Sequence, residues 1–118
     1  MVKLLDDQRK LVPLTPAVFF VLFALADGQK HGYAIMKQVT VLSERKFRMG
    51  PGTLYTTIQR LLGLRLIEET ATKNESDSRR RYYRLTGAGK GLLEAELARM
   101  QALVRVAHQK RLVPQHAE

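Results

Sequence analysis

The chain has 118 residues, 45% of them apolar and 26% charged, the proportions of one ordinary folded domain. Lysine and arginine number 20 against 11 acidic residues, and the resulting +9 calls for a polyanionic partner, nucleic acid or an anionic membrane surface. Cysteine is absent, which excludes disulfide frameworks, thiolate zinc sites and cysteine nucleophiles, and agrees with a cytoplasmic location.

The first strong signal is the eleven-residue apolar run Pro16 to Ala26. Its basic flank (Arg9, Lys10) and its Ala24-Leu25-Ala26 end resemble a secretory leader. It is too short to span a bilayer, which takes about 20 residues. Thr15-Pro16 reads better as an N-cap with proline at the first helical position, opening a buried helix. No membrane partner is expected.

After the turn Asp27-Gly28-Gln29-Lys30, a second helix starts at His31-Gly32, with Tyr33, Ile35, Met36, Val39 and Leu42 inward. Gly50-Pro51-Gly52 punctuates a loop. A third helix follows from about Thr53 to Leu64, its inner stripe formed by Leu54, Ile58, Leu61 and Leu62. The period then changes. Residues 66–72 and 81–86 read as short strands joined by a polar tip, Lys73 to Arg80. From Thr86 to Leu112 the helical period returns, and Leu93, Leu97, Met100, Val104 and Ala107 recur at spacings of four and three. That is the seam of a short coiled coil, and it predicts a homodimer. The other reading packs this helix on its own domain, but Leu92, Ala95, Leu103 and Val106 form a second stripe.

This order predicts a mainly α fold with a small β-hairpin: a winged helix-turn-helix with a long C-terminal pairing helix. The expected units are 1–86, the winged domain with its N-terminal extension, and 87–118, the dimerisation helix.

The third helix turns Thr53, Thr56, Gln59 and Arg60 away from its apolar stripe, with Tyr55 and Thr57 on the flanks. Threonine can bond phosphate or touch a thymine methyl, glutamine pairs with adenine, and arginine forks onto guanine. The bland reading is a solvated helix face. Arg79, Arg80 and Arg81 at the hairpin tip favour DNA, because a basic wing beside a reading helix clamps phosphates. The stretch Ser43 to Arg84 holds ten basic and five acidic residues. A dimer would bring two reading helices to successive major grooves of double-stranded DNA, on a pseudo-palindromic operator.

No catalytic, cofactor or metal site is expected. His31, His108 and His116 are scattered, with no partner at metal-ligand spacing. The run Gly87-Ala88-Gly89-Lys90-Gly91 is no phosphate loop, since Arg84 and Gly91 stand where that motif needs glycine and Ser or Thr. Phe19, Phe20, Phe23 and Met100 can line an adaptable pocket for a small aromatic or apolar effector, or simply fill the core. Arg99 and Arg105 would anchor an anionic head if they pointed inward.

Several motifs together resemble the PadR transcriptional regulators. They are Leu14-Thr15-Pro16-Ala17-Val18, His31-Gly32-Tyr33, Gly52-Thr53-Leu54-Tyr55, Leu66-Ile67-Glu68, and Tyr82-Tyr83-Arg84-Leu85-Thr86 leading to Gly89. The resemblance covers about Leu14 to Leu112. It implies a bacterial dimeric repressor of the short form, with DNA contacts from the third helix and wing and often a small-molecule effector near the dimer interface. Thr56 stands where the family often has proline, and Arg65 where it has glycine before Leu-Ile. Asp77-Ser78-Arg79-Arg80 replaces the wing's Gly-x-Pro-Arg, and no tryptophan is present to sandwich an aromatic drug. The competing class is a winged-helix module that binds RNA or docks on protein.

Overall fold

Thr15 accepts the amide of Val18 in its side chain, and Pro16 follows at the first helical position, so the apolar run opens as helix α2, Pro16–Ala24. The computed structural model describes residues 4–70 and 81–114. Helix α1, Asp6–Arg9, precedes α2, and the Val12–Pro13 peptide between them is cis. Strand β1, Lys30–His31, leads into α3, Gly32–Leu42, and α4 spans Pro51–Gly63. Strands β2, Ile67–Thr70, and β3, Tyr82–Leu85, complete a sheet before α5, Gly87–Gln109.

The predicted element order holds, with five adjustments. Helix α4 begins two residues earlier than expected, because Gly50 is its N-cap and Pro51 opens it. Helix α2 stops at Ala24, and α5 stops at Gln109 instead of reaching Leu112. The hairpin gains a third strand: β1 pairs antiparallel with β3, giving the order β1-β3-β2. Four-residue α1 was not expected at all.

Helix α2 is the hub, packing on α3, α4 and α5. Val18, Val21, Leu22, Ala24 and Leu25 meet Ile35 and Val39 of α3 and Leu54, Ile58 and Leu61 of α4. Leu66, Ile67, Tyr83, Leu92 and Leu93 close this core from the sheet and from α5. Helices α3, α4 and α5 each end in a Schellman turn whose left-handed residue is not glycine: Glu44 (φ 53°), Arg65 (φ 59°) and Arg111 (φ 62°). Among the described residues no helix is long and apolar enough to cross a membrane.

Candidate nucleic-acid interface

Helix α4 buries Leu54, Ile58 and Leu61 and half-buries Leu62, as its apolar period requires. The opposite side carries Thr53, Tyr55, Thr56, Gln59 and Arg60, and all five side chains are exposed. Thr57, placed by the sequence on a flank, is instead buried. Its hydroxyl donates to the Thr53 carbonyl at 2.7 Å, which satisfies it inside the helix.

The sheet brings the base of the wing beside this face. Tyr83 is buried behind α4 while Tyr82 is half-buried and meets His31 edge-on, so the two tyrosines alternate across the pleat. Burial, reinforced by the Glu69 carboxylate, raises the Tyr83 hydroxyl above its ordinary 10.0 and keeps it neutral. Glu68 lies directly opposite Arg84 in the register, and their side chains pair at 2.6 Å. Arg81 is exposed at the start of β3, with Glu69 3.6 Å away. Arg79 and Arg80 lie outside the described residues.

Between these elements runs an open groove of about 500 Å³. Leu54 and Ile58 line it together with Tyr33, Tyr55, Gln59 and Arg81. Tyr33, which the sequence places on the inner side of α3, is instead 60% exposed, and Lys37 holds its ammonium 5.1 Å from the ring centre. Arg45, Lys46 and Arg48 are exposed in the loop that leads into α4. A polar helix face, two exposed tyrosines and a cationic rim suit a phosphate backbone better than a small apolar ligand.

A model of the transcriptional regulator PadR-like family matches residues 21–95, well over half of the chain. The chain belongs to this family. The transcriptional regulator Rv3488 of Mycobacterium tuberculosis is 33% identical over 87 residues, covering 72% of this chain and 76% of its own length. An uncharacterised 37.1 kDa protein in transposon Tn4556 of Streptomyces fradiae is 41% identical over 87 residues, 74% of this chain. The matched part is only 24% of that longer protein. A PadR family regulator from Clostridium difficile superimposes with a TM-score of 0.67 at 28% identity, covering 80% of this chain and 97% of that one. Bacillus subtilis PadR, solved in complex with operator DNA, shares the fold with a TM-score of 0.63 at 21% identity, over 72% of this chain and 47% of that one. PadR-like proteins are transcriptional regulators, not enzymes.

The seam that the sequence predicts for this PadR-like chain divides along α5. Leu93 packs into the chain's own core beside Leu92, whereas Leu97, Leu103, Val104 and Val106 are exposed. Met100 and Ala107 are half-buried. Phe19, Phe20 and Phe23 are half-buried too. Phe19 contacts Phe20 and Phe23 at 5.2 and 5.4 Å between ring centres, and Phe20 stacks on Phe47 at 5.7 Å.

Two buried polar residues escaped the sequence reading. Gln8 follows no local pattern that would announce it. Glu96 carried a readable signal, because it sits three and four residues after Leu93 and Leu92, on their face of the helix.

Proposed function

We propose that the chain is a homodimeric, sequence-specific repressor that binds a pseudo-palindromic operator in cytoplasmic double-stranded DNA and is released by a small-molecule effector. The observation that carries this reading is the joint exposure of Thr53, Tyr55, Thr56, Gln59 and Arg60 on one face of α4. In this reading Gln59 and Arg60 contact base edges, and the threonines and Tyr55 contact phosphate and sugar. The wing arginines Arg79, Arg80 and Arg81 supply salt-sensitive phosphate contacts. The operator complex of the Bacillus subtilis relative supports the same use of the shared fold.

Residues 1–86 serve as the reading unit and 87–118 as the pairing helix, anchored at its start by Leu92 and Leu93. The exposed Leu97, Leu103, Val104 and Val106 suit a second copy, with Met100 and Ala107 at the seam. For the effector, Phe19, Phe20 and Phe23 with Met100 form the apolar candidate surface. Arg99 is engaged by Glu96, which leaves exposed Arg105 as the cation for an anionic head.

Footprinting on the DNA upstream of the chain's own gene tests the reading. Two protected segments about one helical turn, roughly 34 Å, apart are expected. Protection of a single segment, or of none, contradicts it.

A further inference from the structure

Residues 4–14 run between the end of α4 and the body of α5 as a strap that contains only α1 as regular structure. The family match runs from 21 to 95, so it covers neither this strap nor Glu96. Two buried polar side chains fasten it.

The first is Gln8, 2% exposed. Its amide nitrogen donates to the Leu64 carbonyl at 2.9 Å, and its oxygen accepts the Leu5 amide at 2.9 Å. Leu64 is the C-cap of α4, so the strap grips the reading helix where its carbonyls run out of helical partners. The second is Glu96 of α5, fully buried. Its carboxylate accepts the Leu14 amide at 2.7 Å and takes the Arg99 guanidinium at 2.6 and 3.2 Å. A buried carboxylate is tolerated only when paired and hydrogen-bonded, and losing one partner orphans the other. Both fastenings are therefore costly to break.

Helix α4 packs on α2, α3 and β2, while α5 packs on α2 and β3. The strap adds a separate link from the end of α4 to the body of α5. Helix α5 is a lever of about 35 Å, so a small tilt at its root moves a partner bound at its far end by ångströms. We infer that Gln8 and Glu96 are positioning residues for DNA recognition: by clamping α4 and α5 at one angle, they set the separation of the two reading helices and thus the half-site spacing the dimer accepts. This inference rests on the dimeric operator reading proposed above.

The chain has no cysteine, so Thr56→Cys places a single spin label on the exposed face of α4. The inter-label distance in the dimer is measured by pulsed electron spin resonance. Unlabelled protein is tested on duplexes that the unsubstituted chain selects from a random pool, with the half-site spacing then changed by one base pair. Gln8→Met and Glu96→Met keep side-chain volume but remove the bonds, whereas Glu96→Gln keeps an acceptor for Leu14.

The unsubstituted chain and Glu96→Gln should show one narrow distance and prefer the selected spacing by at least about tenfold. The two methionine variants should remain dimers by sedimentation and bind a single half-site normally. Their distance should broaden or shift, and their spacing preference should fall to about threefold or less. If one methionine variant does not fold, the other, which undoes a separate fastening of the strap, decides by the same two measurements. Loosened variants that keep the native distance and spacing preference overturn the inference. So do variants whose half-site affinity falls in step with melting temperature, since the strap would then be structural only. An unsubstituted chain that selects no duplex sinks the operator reading itself, and this inference with it, before any variant is made.

Discussion

Gly89, in the first turn of α5, lies so close to the backbone of Leu66 that a Cβ on it would stand 1.9 Å from the Leu66 carbonyl oxygen. That oxygen also accepts the Thr86 amide at 3.1 Å, and the Thr86 hydroxyl donates to the Arg65 carbonyl at 2.7 Å. With Gln8 on the Leu64 carbonyl, three consecutive carbonyls at the exit of α4 are taken. Gly89→Ala should force α5 off this junction and cost at least about 2 kcal/mol in urea unfolding. A loss below about 0.5 kcal/mol, the level of an ordinary surface change, contradicts the close approach.

The element order was legible because the helical apolar period breaks off at Leu66, where branched, aromatic and threonine residues take over, and returns at Thr86. The exposed polar face of α4 followed by subtraction from the stripe Leu54, Ile58 and Leu61. Helix α1 and strand β1 were not legible, since four and two residues are too few to show a period. The roles of Gln8 and Glu96 depend on backbone groups 56 and 82 positions away in sequence, and local pattern holds no record of such partners. Thr57 misled for a related reason: its hydroxyl is satisfied by its own helix and needs no water.

Arg65 holds a left-handed conformation (φ 59°) at the end of α4, and its side chain is exposed. Glycine pays no Cβ penalty there, and the bond from Thr86 uses only the Arg65 backbone. Arg65→Gly should raise stability by about 0.5–1 kcal/mol in thermal or urea unfolding. A loss instead would mean that the arginine side chain makes a compensating contact.

The Arg99 guanidinium and the Leu14 amide hold the Glu96 carboxyl below its ordinary 4.5, against the opposing effect of burial. A depressed folded value contributes stability that is present above 4.5 and disappears as pH falls through the lower folded value. Unfolding followed from neutral pH to about pH 3 should show a steeper loss for the unsubstituted chain than for Glu96→Gln. Parallel curves would assign the acid sensitivity to other carboxylates.

Val104 is 46% exposed and Leu103 56% exposed, so neither is needed by the chain's own core. Val104→Glu should leave folding nearly intact, but it would set a carboxylate in an apolar dimer seam, which is costly without a partner. Sedimentation should show monomers, and operator binding should fall with them. A tight dimer in the variant places the interface elsewhere on the chain.

Whether α4 and the wing read a defined DNA sequence is decided by one equilibrium measurement. Affinity for duplex from the chain's own upstream region is compared with affinity for random duplex of equal length at matched salt. A ratio of at least about 10³ is expected, carried by Gln59 and Arg60 on base edges. A ratio near one contradicts that reading and leaves a basic winged helix without operator specificity.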